Sequence, residues 1–133
     1  AGGKGRVRFE IVDWDGDGVT DLLLSTNMHN MIPADDPAGL PWGNPKELKG
    51  ATILFLRNCG SDSKPQFEFP RQLVYKGELL RLGHHGCGLA TGYVGELVPA
   101  PKKSSEKYLR NIIVADERGI FYLLERKYIT YNN

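Results

Sequence analysis

The chain has 133 residues, enough for one compact domain, and its 41% hydrophobic and 25% charged residues are ordinary for a globular protein. Lysine and arginine (17) exceed aspartate and glutamate (16) by one, so there is no bulk positive field of the kind that nucleic-acid-binding proteins carry. No apolar run approaches the roughly 18 residues that a membrane-spanning helix needs. We therefore expect neither a nucleic-acid partner nor a membrane span.

The first residues, AGGKG, include neither an initiator Met nor a signal peptide. This beginning is typical of mature sequence or of the middle of a longer chain. The N-terminus therefore gives no cellular address.

Short β-rich runs bounded by Gly, Pro, Asn and Asp follow one another along the chain, and the 3.6-residue apolar period of helices is nearly absent. The predicted strands are residues 7–12, 22–24, 52–57, a fourth near 72–75, and then 88–94, 111–115 and 119–125. Val7, Phe9 and Ile11 alternate onto one face of the first strand. Residues 22–24 are apolar on both faces, as in a strand within a stacked sheet. The pattern predicts an all-β protein.

The order of the strands recurs as a weak internal repeat. Residues 21–25 match residues 111–115, and residues 50–56 match residues 119–124. The sequence therefore predicts two units of three to four antiparallel strands. The first unit carries a long insertion at residues 27–50, and the second lacks the acidic loop of the first.

The acidic loop is DWDGDGVTD, residues 13–21, which places four carboxylates in nine residues. The predicted metal ligands are the carboxylates of Asp13, Asp15, Asp17 and Asp21 and the main-chain carbonyl of Val19. Gly18 permits the sharp turn. Calcium takes six to eight such oxygens and is favoured over magnesium, which retains more water. An EF-hand is excluded because its twelfth position, a Glu, is Leu24 here and the flanks are strands. The alternative is a solvated acidic turn.

Residues 7–26 (VRFEIVDWDGDGVTDLLLST) resemble an FG-GAP or VCBS-type repeat, the calcium-binding blade of β-propellers such as the integrin head and many secreted bacterial proteins. Residues 50–73 resemble the outer half of such a blade, with a strand, Arg-Asn, a polar turn and a Pro-x-Phe start of the last strand. Residues 118–126 (RGIFYLLER) resemble the end of another blade. The resemblance implies two antiparallel blades, residues 1–79 and 80–133, of a larger, seven-bladed propeller.

Two blades leave exposed sheet edges and an apolar blade face, because propellers close only with roughly 4–8 blades. We expect the remaining blades of a parent protein, or self-association, to cover them. The calcium loop also favours a secreted, periplasmic or cell-surface location, because calcium is abundant outside the cytosol.

The stretch LGHHGCG, residues 82–88, begins the predicted innermost strand of the second blade. Such propellers are similar to those of polysaccharide lyases that act on acidic plant or algal glycans by β-elimination. The resemblance implies His84 or His85 as the base or acid, Tyr93 as a partner and Arg81 as the carboxylate clamp. The alternative is a non-catalytic glycan- or protein-binding module in which calcium is structural.

Two further expectations concern single side chains. Cys59 and Cys87 form either a disulfide or two buried free thiols, and the sequence leaves both open. Trp14 is expected to pack beside the calcium loop.

Overall fold

The structure is a computed structural model that describes residues 8–26, 52–82, 86–92, 110–116 and 118–132, with the backbone alone for 86–92 and 116. All strand pairs within these ranges are antiparallel. The same ranges contain no α-helix and only a short 3-10 turn at Arg126–Tyr128. The predicted all-β class is confirmed.

Among the described residues, no helix is both long enough and apolar enough to cross a membrane.

The described residues form nine strands. They are β1 Arg8–Val12, β2 Asp21–Ser25, β3 Ile53–Leu56, β4 Arg71–Tyr75, β5 Glu78–Leu79, β6 Gly86–Gly92, β7 Asn111–Asp116, β8 Phe121–Leu124 and β9 Ile129–Tyr131. The seven predicted strands are all present, whereas β5 and β9 were not predicted.

The strands form two sheets. The first has the order β1-β2-β3-β4-β5, and the second has the order β6-β7-β8. The last strand, β9, pairs with β4 of the first sheet, with Leu73 opposite Tyr131 and Tyr75 opposite Ile129. The end of the predicted second unit is therefore built into the sheet of the first, which ties the two sheets together.

Each sheet contributes one face to a common core. The buried side chains include Val12, Leu23 and Phe55 of the first sheet and Ile112 and Val114 of the second, and they belong to one hydrophobic cluster. Along β2, buried and half-buried residues alternate strictly, which confirms a strand with apolar groups on both faces. Trp14, in the loop between β1 and β2, belongs to the same cluster and so anchors that loop to the core.

The opposite face of each sheet is apolar and partly exposed, and we call these the outer faces. Phe9 and Ile11 share a face as predicted, but each is 61% exposed, while Val12 on the other face of β1 is buried. Paired side chains of antiparallel strands lie on the same face. The first outer face consists of Phe9, Ile11, Leu22, Leu24 and Leu56, and the second of Ile113, Phe121 and Leu123.

Candidate metal centre

The loop that joins β1 to β2 folds around its own carboxylates. Asp13 accepts hydrogen bonds from the backbone N–H groups of Gly16 (2.8 Å) and Gly18 (3.1 Å). Asp15 and Asp17 each accept from the N–H two residues further on, at 3.1 and 2.9 Å, as in Asx turns. Gly16 and Gly18 have φ values of 79° and 93°, a backbone region that glycine adopts without strain. The sequence of the loop therefore determines its local conformation.

Three of the predicted ligands converge. Asp13, Asp15 and Asp21 each offer a carboxylate oxygen, and these oxygens lie within 4.8 Å of one another. Oxygen ligands lie about 2.3–2.6 Å from a calcium ion, so two ligands of one ion are at most about 5 Å apart. The donor chemistry and the spacing both suit a hard cation, and this group is able to hold a metal ion.

Asp21, the first residue of β2, is fully buried. Its Oδ2 accepts the N–H of Trp14 (3.0 Å) and its Oδ1 accepts the N–H of Asn58 (2.8 Å). Burial raises the pKa of this carboxyl, and the two backbone hydrogen bonds counteract part of that rise. Asp21 thereby fixes the ends of β1 and β3 to β2, and its buried carboxylate would gain from a nearby cation.

The other two predicted ligands, Asp17 and the Val19 carbonyl, remain predictions. The side chain of Asp17 contacts Arg57, whose Nη2 donates to Asp17 Oδ2 at 2.8 Å. Nε of Arg57 donates to Asp15 Oδ2 at 2.7 Å, and this hydrogen bond is the main reason that the pKa of Arg57 is raised. The guanidinium therefore bridges two carboxylates of the loop.

Asn58 is buried and uses all of its polar side-chain groups. Its Nδ2 donates to the carbonyl of Thr20 (3.1 Å) and to that of Ser61 (3.5 Å). Its Oδ1 accepts the N–H groups of Gly60 (3.0 Å) and Gln66 (2.9 Å). With its own N–H bound to Asp21, this residue connects the turn after β3 to the acidic loop.

Arg57 and Asn58 were not predicted as site residues, nor was Asp62, which accepts the N–H of Thr20 at 2.8 Å. A signal for the first two was present in the sequence, because Arg-Asn directly after a strand belongs to the resemblance to a propeller blade. For Asp62 we find no such signal. All three are distant in sequence from the loop that they support.

Trp14, within the acidic loop, is only 2% exposed and belongs to the common hydrophobic core. The guanidinium carbon of Arg126 lies 4.2 Å from the centre of its indole ring. Nη2 of Arg126 donates to the hydroxyl of Tyr131 (3.0 Å) and to the Trp14 carbonyl (3.4 Å). Indole Nε1 and Arg126 Nε are buried without a hydrogen-bond partner in the part of the chain that is described. Arg126 thus links the loop to the chain that follows β8.

Of the two alternatives for the cysteines, the disulfide between Cys59 and Cys87 is not formed in this structure. Cys59 is a free thiol, and its Sγ lies 3.1 Å from the carbonyl oxygen of Gln66. The expectation of two buried free thiols is also wrong for Cys59, which is exposed because it belongs to the polar turn after β3. The backbone of Cys87 lies in β6, and its side chain is outside what the structure describes.

Of the predicted catalytic residues, only Arg81 belongs to the described residues, and it is exposed after β5. His84, His85 and Tyr93 lie outside the described residues, so the catalytic role of all four stays a prediction. Comparison with family models, curated proteins and solved structures finds no match to this chain.

Proposed function

We propose that residues 13–21 bind Ca²⁺ and that the ion stabilises this chain as part of a secreted β-propeller of the FG-GAP or VCBS type. The observation that carries the proposal is the convergence of oxygens from Asp13, Asp15 and Asp21 within 4.8 Å. Asp17 and the carbonyl of Val19 would supply further oxygens. Calcium suits this set because it accepts many oxygen ligands in flexible geometry.

The role of the ion follows from the position of Asp21. This residue is fully buried, and its carboxylate is held by N–H groups at the ends of β1 and β3. When bound, a divalent cation supplies the positive charge that a buried carboxylate lacks. Binding therefore favours the folded chain, and a structural role agrees better with this arrangement than a catalytic one.

The proposal is tested by thermal unfolding in calcium and in chelator. At a free ligand concentration of 100 Kd, binding to the folded state alone adds about 2.7 kcal/mol, which raises Tm by about 10 °C for a chain of this size. We expect Asp15→Ala to abolish that rise. Asp62→Ala is the matched control, because Asp62 holds the loop backbone but is not in the metal group. A wild-type Tm that is the same in calcium and in chelator would refute the proposal.

The two apolar outer faces support the propeller assignment. Each sheet buries one face in the common core and exposes large apolar side chains on the other, such as Ile11 and Phe121. We propose that further sheets cover them, either the remaining blades of a longer protein or a second copy of this chain. Sedimentation velocity tests this. We expect the isolated chain to self-associate, Ile11→Lys to weaken association and Thr130→Lys, an exposed control, to leave it unchanged.

Action on acidic plant or algal polysaccharide by β-elimination is proposed from the resemblance alone. It is tested by the ultraviolet absorbance of unsaturated uronate product after incubation with uronate-rich glycans. We expect product with the wild type and less with His84→Ala or His85→Ala. The absence of product with every such glycan would favour the alternative, a non-catalytic glycan- or protein-binding module with structural calcium.

A further inference from the structure

Arg57 follows β3 and reaches the acidic loop from outside it. Its Nε and Nη2 atoms lie 2.7 Å from Asp15 and 2.8 Å from Asp17. The loop carries four carboxylates, so the single charge of Arg57 reduces a local charge of −4 to −3. These are close, charge-assisted hydrogen bonds from one planar group to two carboxylates. The guanidinium is therefore a counter-cation that the chain itself supplies.

Asp15 belongs both to this ion pair and to the metal group. Its Oδ2 is bound to Arg57, and its Oδ1 accepts the N–H of Asp17 at 3.1 Å. A cation on the Asp15 carboxylate would share or displace the contact to Arg57. Because Arg57 binds the same carboxylate directly, the ion and the guanidinium would lie within about 5 Å of one another and repel.

A third carboxylate, that of Glu68, also lies near Arg57. Nη1 lies 3.6 Å from Oε1 of Glu68, which also pairs with Arg71 at 3.1 Å. Glu68 precedes β4, so it lies on a different segment from the acidic loop. Arg57 is thus held between the loop and a partner to which it can turn when its contacts to the loop are lost.

We propose that Arg57 sets the divalent-cation affinity of the acidic loop: it stabilises the loop without metal and opposes the ion that binds there. The inference rests on the proposed function, because it concerns the same site. In EF-hand loops, which also bind calcium through closely spaced carboxylates, affinity spans nanomolar to millimolar values and depends on the number of charges in the site. Coulomb repulsion between +2 and +1 at about 5 Å in water corresponds to roughly a tenfold weaker affinity. Arg57 thereby shifts the site towards the higher calcium concentrations found outside the cytosol.

The test compares each variant with the wild type in two measurements: calcium affinity by isothermal titration calorimetry, and Tm in chelator. We expect Arg57→Gln to bind calcium about tenfold more tightly and to unfold at a lower temperature in chelator, because the repulsion and the ion pairs are both removed. Arg57→Lys keeps the charge, so its affinity stays near that of the wild type. Arg71→Gln is the matched control, since it removes a guanidinium that pairs with Glu68 and not with the loop.

Each outcome decides between the two proposals. If the wild type binds calcium and Arg57→Gln binds it no more tightly, the role of Arg57 is refuted while the calcium site stands. If Arg57→Lys binds as tightly as Arg57→Gln, the charge argument is wrong. If neither the wild type nor Arg57→Gln binds, the calcium site and this inference both fail.

Should Arg57→Gln not fold, Glu68→Gln gives a second test. Without its alternative partner, Arg57 stays on the loop, and calcium binding weakens. Unchanged or tighter binding by Glu68→Gln would then refute the inference.

Discussion

The substitution Asn58→Asp changes a single buried atom, because an oxygen replaces the side-chain amide nitrogen. The nitrogen donates to the carbonyl of Thr20 at 3.1 Å, so that carbonyl would lose its donor and face a carboxylate oxygen. The unchanged Oδ1 would still accept the N–H groups of Gly60 and Gln66. The new charge would lie next to Asp21, whose Oδ1 is 2.8 Å from the backbone nitrogen of Asn58.

These contributions partly oppose one another. Leaving the partly buried carbonyl of Thr20 without its donor costs about 2 kcal/mol, and repulsion from the Asp21 carboxylate adds about 1 kcal/mol. The N–H groups of Gly60 and Gln66 would now donate to a charged acceptor, which stabilises the folded state by about 1 kcal/mol. We therefore expect Asn58→Asp to lower the free energy of unfolding by about 2 kcal/mol, and Tm by about 8 °C for a chain of this length.

Urea denaturation in chelator, followed by circular dichroism, measures this loss without a contribution from metal. Gln66→Glu is the control, because it adds the same charge to the same turn on an exposed side chain and should cost less than about 0.5 kcal/mol. If the two variants are equally stable, the hydrogen bond to Thr20 does not matter and the reasoning fails. If both lose about 2 kcal/mol, charge alone explains the effect.

Three further predictions follow from single contacts. Arg126→Ala should lower the free energy of unfolding by about 2 kcal/mol because it uncovers the Trp14 ring. Arg126→Met keeps the ring covered and removes the unpartnered Nε, so it should lower that free energy by less than about 1 kcal/mol. Equal losses in urea denaturation would contradict this. Gly60→Ala should lower the free energy of unfolding by about 3 kcal/mol, since a Cβ there would overlap backbone atoms of the following turn. Gly77 lies in open space, so Gly77→Ala should lose only the strain of its positive φ, about 1 kcal/mol. The reverse order of stability would refute the argument. Because burial raises the pKa of Asp21, its carboxyl binds a proton at a higher pH than that of an ordinary aspartate. Metal binds the deprotonated form, so calcium affinity by calorimetry should begin to fall, as the pH is lowered from 7, before an ordinary aspartate would protonate; a constant affinity would contradict this.

The strands were predictable because their signal is local. Residues 22–24 show apolar groups on both faces between turn-forming residues, and β2 extends this predicted strand by one residue at each end. By contrast, β9 has only three residues and is stabilised by pairing with β4, more than fifty positions earlier in the chain. A strand that depends on so distant a partner has no pattern of its own to detect.

Alternation of apolar and polar residues did not predict which face of a strand packs into the core. The period of two places Phe9 and Ile11 together, but it does not say which face of β1 enters the core. That choice is made by the packing of Val12 and Leu23 against the second sheet. Large apolar side chains consequently lie on the outer face of β1, an assignment that alternation alone does not make.

In the acidic loop, too, the sequence determines some features and the tertiary structure decides others. Its spacing of carboxylates and glycines by itself determines the turns and brings Asp13 and Asp15 near Asp21, since these contacts span at most eight residues. The residues that donate hydrogen bonds to it from outside, Arg57 and Asn58, are 37 to 42 positions away from their acceptors in the chain. Only the pairing of β2 with β3 places them there, because hydrogen bonding between strands, and not sequence distance, decides which side chains meet.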